Sequence, residues 1–180
     1  MEFSGKKVTV VGTGISGIGA VGLLNAVGAE VVLYDGNEKL KIEDIEKKLG
    51  TYKAEIVLGE LTKELTDSSD LLVISPGVPI DSPVVKAFEA AGVPVWGEVE
   101  LAYAFDKGKV LAITGTNGKT TTTALVGQIV GAYHKDTFVV GNIGNPYTTE
   151  VLKSNKDSYT VAEISSFQLE TVHEFHPLVS

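Results

Sequence analysis

Cysteine and arginine are both missing from this chain. Its 15 fixed cationic side chains are all lysines, set against 23 acidic ones, for a net charge of −8. Without cysteine there is no disulfide framework, no thiolate zinc site and no cysteine nucleophile. Without arginine, no side chain offers a forked, bidentate grip on phosphate or carboxylate. Phosphate binding must therefore rest on backbone amides, lysine and metal. The acidic balance disfavours nonspecific nucleic-acid binding, which needs a basic surface, and obliges any anionic ligand to be held locally against the overall field. No apolar run approaches membrane-spanning length, and residues 1–7 lack the apolar core of a signal peptide. A cytoplasmic protein that binds neither nucleic acid nor membrane is expected.

What is present is a core-forming chain of 180 residues, 43% hydrophobic, enough for one large domain or one domain plus part of another. Strand and helix patterns alternate, the mark of an α/β fold with parallel sheets. Strands are expected at 7–11, 30–34 and 70–74, with helices at 15–27, 42–49 and 82–91. Residues 92–97 (Gly-Val-Pro-Val-Trp-Gly) read as punctuation, which places a domain boundary there. A short connecting helix over 98–105 follows, its Glu98/Glu100 pair suited to a helix N-terminus. A second βα series then has strands at 109–113, 137–140 and 158–164. Its final residues, 176–180, read as the approach to a further strand.

The most informative segment is Gly115-Thr116-Asn117-Gly118-Lys119-Thr120-Thr121-Thr122, between an apolar strand and a helix. Backbone amides and the helix N-terminus would face an anion, Lys119 would add a mobile charge, and Thr120 could ligate Mg²⁺. The spacing departs from G-x-x-x-x-G-K-[ST], since Ile113 stands where the first glycine belongs. The plainer alternative is a Gly/Thr-rich turn with an exposed lysine. A second glycine turn, Gly12-Thr13-Gly14-Ile15-Ser16-Gly17, follows the first strand, and Asp35 ends the next strand about 20 residues on, a dinucleotide-fold geometry. It suits NAD or any nucleotide diphosphate, and packing alone could also require those glycines. Ser75-Pro76-Gly77 and Asn142, within Gly141–Pro146, sit at strand exits and could be ligand groups or ordinary turns. Glu163, at the end of a buried strand, is placed like the carboxylate that completes Mg²⁺ coordination, the alternative being a solvated strand-end acid. His134, His173 and His176 lack metal-ligand spacing, and Trp96 reads as a core residue.

Taken in order, the Gly12–Gly17 turn, Ser75-Pro76-Gly77-Val78, the Gly115–Thr120 loop, Gly141-Asn142-Ile143-Gly144 and Glu163-Ile164-Ser165-Ser166-Phe167-Gln168-Leu169-Glu170 resemble the Mur ligases of peptidoglycan synthesis. The last two segments point to the branch that adds D-glutamate. The resemblance implies a Rossmann-like domain over 1–97 that binds the UDP part of UDP-N-acetylmuramoyl-L-alanine, followed over 98–180 by the first part of a P-loop-type α/β ATPase domain. Gly14, Ile15 and Ser16 would meet the diphosphate, Asp35 and Gly36 would lie near uracil and ribose, and Ser75, Pro76, Gly77, Asn142 and Ser165 would complete the substrate contacts. Thr116 to Thr122 would hold Mg²⁺-ATP, with Lys119 and Glu163 catalytic and Thr120 and Glu163 on the metal.

The family often has a basic residue after the acid at Asp35, where this chain has Gly36-Asn37. The chain also reads as cut short, lacking a third, amino-acid-binding domain and the second-metal residues, so it is expected to be inactive alone. The full-length protein is expected to be a monomer. A nicotinamide-dependent oxidoreductase or sensor, or a non-catalytic nucleotide-binding fragment, remains the alternative.

Overall fold

The apolar runs that alternate with helical stretches become strands buried on both faces. The computed structural model describes residues 2–180 and divides them into two units, one up to Glu98 and one over Val99–Ser180. The first unit runs β1 (Lys7–Val11), α1 (Ile15–Ala26), β2 (Glu30–Asp35), α2 (Ile42–Leu49), β3 (Glu55–Leu58), α3 (Lys63–Ser68), β4 (Leu71–Ile74), α4 (Pro83–Ala90) and β5 (Val95–Gly97). All its strand pairs are parallel, in the order β3-β2-β1-β4-β5. Val8, Val10, Leu33 and Leu72 are wholly buried, as expected where helices cover both faces of a parallel sheet. β1 lies between β2 and β4, so the chain leaves it in both directions. That reversal opens a crevice at the carboxyl ends of the strands.

The local reasons are simple. In α2, Ile45 and Leu49 face inward, while Glu43 and Asp44 start the helix and Lys47 and Lys48 end it, matching the helix dipole. β3 and α3 escape the sequence pattern because each is short and only partly apolar. β5 lies inside the stretch read as punctuation. Pro94 stands just before it, where no ladder N–H is lost, and its carbonyl accepts from the Leu72 N–H at 2.9 Å.

After α5 (Glu98–Tyr103), the second unit contains β6 (Lys109–Ile113), α6 (Lys119–Tyr133), β7 (Thr137–Gly141), α7 (Tyr147–Glu150) with a 3-10 turn at Val151–Lys153, β8 (Tyr159–Glu163) and α8 (Ser166–Leu169). The strands are parallel in the order β6-β8-β7. β6 is paired on its other side too. The Leu178 N–H donates to the Val110 carbonyl at 2.7 Å, and the Ala112 N–H to the Val179 carbonyl at 2.9 Å. That edge of β6 is therefore occupied by the segment that read as the approach to a further strand.

Two acids, one buried and one half-buried, organise this unit from outside the sheet. Glu100 is 1% exposed, and its carboxylate accepts the backbone N–H groups of His173 (2.9 Å), Glu174 (2.8 Å) and Phe175 (3.2 Å). It stands in the first turn of α5, as expected, and in addition cradles a distant turn. The Tyr103 hydroxyl fastens the same turn by donating to the His176 carbonyl at 2.9 Å. Asp106 accepts from the Tyr147 and Thr160 hydroxyls, each at 2.7 Å, and burial raises the Tyr147 phenol well above its ordinary pKa.

Glu100→Gln replaces an acceptor oxygen with a donor that must face a backbone donor. It is expected to lower the unfolding free energy by about 1–3 kcal/mol, read from urea denaturation; an unchanged midpoint would show that the three N–H groups do not depend on the charge.

Candidate functional site

The first unit's candidate residues gather at the carboxyl end of β1. Gly12 has φ +105°, and a Cβ there would stand 2.8 Å from the Ser75 hydroxyl oxygen. A Cβ on Gly17 would stand 1.9 Å from the Gly12 carbonyl oxygen, so α1 approaches the turn as closely as backbone allows. Gly14 caps α1 without any side-chain hydrogen bond, no acid occupies the first turn, and Gly14 and Ile15 are exposed. The helix therefore presents uncapped N–H groups and the positive end of its dipole. Ser75 follows β4 across from this turn, and its buried hydroxyl has no hydrogen-bond partner among the described residues. Pro76 and Gly77 continue the same turn, closed by the Val78 N–H donating to the Ser75 carbonyl at 2.9 Å.

Asp35 is placed at the end of β2, but its carboxylate is already engaged. Oδ2 accepts from the Thr13 hydroxyl at 3.0 Å and the Thr13 N–H at 3.3 Å, while Oδ1 accepts from the Asn37 N–H at 3.1 Å. It braces the glycine turn and shapes the exposed Gly36 corner. Lys48 donates to the Thr13 carbonyl at 3.3 Å and brings the nearest positive charge to this turn.

In the second unit, the glycine loop leaves β6 and enters α6. Gly115 (φ +142°) and Gly118 (φ +78°) adopt backbone that L side chains rarely reach, which explains both glycines. Gly118 caps α6 without a side-chain hydrogen bond. Thr116, Asn117, Thr120, Thr121 and Thr122 are exposed around that helix entrance, where Thr120, Thr121 and Thr122 form part of the helix itself. Lys119 folds back so that Nζ donates to the Gly115 carbonyl at 2.7 Å.

Glu163 stands in register with Ile113 on β6 and Gly141 on β7, so it sits at the carboxyl end of the central strand beside the exit to the loop. It is 4% exposed, and its Oε2 has no hydrogen-bond partner among the described residues. Gly141 (φ +102°) leaves no room for a side chain, since a Cβ would lie 2.2 Å from the Glu163 carbonyl oxygen. The next residue, Asn142, is exposed; its N–H donates to that same carbonyl at 3.2 Å and its Nδ2 donates to Gln168 Oε1 at 3.1 Å. Ser165 caps α8 and also bonds Gln168. The second sheet thus brings together the glycine loop, Glu163, Asn142 and Ser165.

Gln168 is the residue that sequence reasoning passed over. It lay inside a motif used only for resemblance, and the one available signal was its position three residues after Ser165, the spacing of a capping box. Among the described residues there is no cluster of three or more His, Asp or Glu that would hold a metal by itself, so a cation here needs ligands from elsewhere, as a nucleotide's phosphates would supply.

An open parallel sheet with glycine turns at its switch point, followed by a second parallel sheet with a glycine-lysine loop, agrees with the family models that match. One described as Mur ligase MurD-like, N-terminal domain covers residues 6–97, and one described as Mur ligase middle domain covers residues 113–179. The chain belongs to the Mur ligase family. Over its whole length it is 71% identical to the UDP-N-acetylmuramoylalanine–D-glutamate ligase of Lachnospira eligens and 58% identical to that of Lachnoclostridium phytofermentans. The chain spans 40% of the length of each. Among solved structures, the UDP-N-acetylmuramate:L-alanyl-gamma-D-glutamyl-meso-diaminopimelate ligase of Neisseria meningitides superposes with a TM-score of 0.54 at 20% identity, over 89% of this chain and 52% of that one. A murein peptide ligase of Psychrobacter arcticus gives 0.52 at 19%, over 91% and 39%. These two likenesses concern the fold.

Gly17→Ala drives a methyl group into the Gly12 carbonyl. It is expected to cost about 1–3 kcal/mol or more through overpacking, measured as a fall in the thermal midpoint, whereas Gly14→Ala meets nothing within 4 Å and leaves that midpoint nearly unchanged.

Proposed function

We propose that this chain is part of an ATP-dependent ligase that joins D-glutamate to UDP-N-acetylmuramoyl-L-alanine during peptidoglycan synthesis. Residues 1–97 form its UDP-substrate domain, and residues 98–180 form the first part of its ATP-binding domain. The full-length protein works in the cytoplasm as a monomer. The observation that carries this reading is the buried, unpartnered Glu163 Oε2 beside the strand that feeds the glycine-lysine loop. A carboxylate oxygen removed from water without a donor is costly unless a cation meets it. The donor set fits a hard cation: the Glu163 carboxylate and the Thr120 hydroxyl would hold Mg²⁺. When bound, the ion would offset negative charge on the phosphates of ATP.

The chain's own groups do the rest. Backbone N–H groups across Thr116–Thr122 would grip the phosphates, and Lys119 would swing from the Gly115 carbonyl onto them, exchanging one acceptor for a more negative one. In the first unit, Gly14, Ile15 and Ser16 would seat the substrate diphosphate on the N-terminus of α1. The Ser75 hydroxyl, lacking a partner, has a proton to donate there, with Pro76 and Gly77 shaping the wall. Asp35 and Gly36 would border the uridine, and Asn142 and Ser165 the muramoyl-alanine end.

The chemistry is acyl activation. A substrate carboxylate oxygen bonds to the γ-phosphorus as the bond to ADP breaks. The D-glutamate nitrogen then bonds to the acyl carbon and phosphate leaves, giving an amide. Neither step asks the protein for a covalent bond, so positioning and charge neutralisation carry the rate. The glycine-lysine loop of the second unit weighs against an NAD-dependent oxidoreductase, which would leave that loop without a role.

Lys119→Ala is expected to weaken ATP binding at least about tenfold, the worth of a charged hydrogen bond, while the thermal midpoint of the unliganded chain stays put; calorimetric titration with Mg²⁺-ATP measures it, and an unchanged affinity removes lysine from the phosphate site. In a thermal-shift comparison, UDP and ATP should each raise the midpoint and NAD should not. Stabilisation by NAD alone would favour the oxidoreductase.

A further inference from the structure

Gln168 ties together two loops that leave the second sheet at different strands. Its side chain is 5% exposed, and Oε1 receives three donors: Asn142 Nδ2 at 3.1 Å, the Ser165 N–H at 2.9 Å and the Ser165 hydroxyl at 3.0 Å. One of these settles the orientation of all the others. A backbone N–H can only donate, so the atom of Gln168 facing Ser165 must be the carbonyl oxygen. The atom of Asn142 that meets the same oxygen must in turn be its NH₂ group. Asn142 Oδ1 is then left over, on an exposed residue, with no hydrogen bond among the described residues.

We propose that Gln168 is a positioning residue that fixes the amide of Asn142 with its carbonyl oxygen outward, so that this corner of the site reads a hydrogen-bond donor on the substrate. The class of group selected is an amide N–H or a hydroxyl, and a bare carboxylate or phosphate oxygen is disfavoured at that position. The proposal rests on the ligase reading for the identity of the substrate, but the orientation follows from the hydrogen bonds alone.

Alternative roles are weaker. If Gln168 merely capped α8, its bonds would end at Ser165, and the capping box would need nothing from Asn142. The additional bond reaches from β8's exit to β7's, where Gly141 and Gly144 already force the loop into a single path: a Cβ on Gly144 would stand 2.5 Å from the Val139 carbonyl oxygen. The backbone of Asn142 is therefore fixed by the turn and by its N–H bond to the Glu163 carbonyl. What the turn leaves undetermined is which end of the amide faces outward, and that is the choice Gln168 makes.

The test uses two near-isosteric variants of the 180-residue chain. Gln168→Met removes the acceptor; Gln168→Glu keeps one. The first readout is the pair of Asn142 side-chain N–H resonances. The intact chain should show one strongly shifted, slowly exchanging proton, lost in Gln168→Met and retained in Gln168→Glu; unchanged Asn142 signals in Gln168→Met overturn the proposal whatever the ligand proves to be. The second readout is calorimetric affinity for UDP-N-acetylmuramoyl-L-alanine. Asn142→Ala should cost about tenfold in the parent and less than about twofold in Gln168→Met, with Gln168→Glu restoring the larger loss. Equal losses in both backgrounds refute the positioning role. No binding by the parent chain, with the resonances behaving as expected, would count against the ligase reading and leave the assigned orientation standing.

Discussion

Main chain meets main chain at the carboxyl ends of both sheets, with no side chain between. In the first unit the entrance of α1 closes on the Gly12 carbonyl at Gly17; in the second, β7 closes on the Glu163 carbonyl at Gly141. Both contacts exclude a Cβ, and both bring main chain close to the strand ends where ligands of open sheets gather. Because the peptide groups themselves line these places, a phosphate held there would need no arginine. Backbone amides do not titrate and hold their geometry through the strands that carry them, whereas a lysine brings charge without direction.

That division of labour explains the arrangement of charge. The chain is acidic overall, yet the first turns of α1 and α6 contain no acid. The acids closest to the sites are placed with care. Asp35 accepts from three donors, and Glu163 keeps one oxygen without a partner among the described residues. One acid is used in shaping a turn, and the other is left open. They look equivalent in the sequence, each closing an apolar strand. The difference comes from what the neighbouring loop offers: Thr13 and its hydroxyl reach Asp35, while Gly115 and Gly141 have nothing to give Glu163.

Much of the α/β frame was legible because buried parallel strands are plain apolar runs and amphipathic helices keep their period. β1 and α2 fall where the pattern puts them. The misses have physical causes. β5 hides behind Pro94 and Gly97, residues that usually break structure but here stand at a strand's ends. α6 starts with Lys119 followed by four threonines, poor helix formers on their own, held helical by the glycine turn before them and the sheet beneath. Glu100 does stand at a helix start as read, but nothing local reveals that residues 173–175 will return to it. Candidate site residues could be named wherever glycine spacing or a strand-end acid marked them. Gln168 was not, because its importance lies in a bond to a residue distant in sequence.

The two flanks of β6 come from far downstream: its Lys109 lies opposite Tyr159, a separation of 50, and its Leu111 opposite Val179. Such pairings are slow to close, since chain entropy must be surrendered before the contacts repay it. During synthesis, then, the first unit can reach its native state while β6 is still waiting for neighbours. Throughout that interval an apolar strand is unshielded, and the glycine loop that depends on it has no platform. The native form of that loop should consequently arise late and all at once, as residues 159–163 and 178–179 clear the ribosome, which makes the emerging second unit the stage most exposed to chaperones and to aggregation.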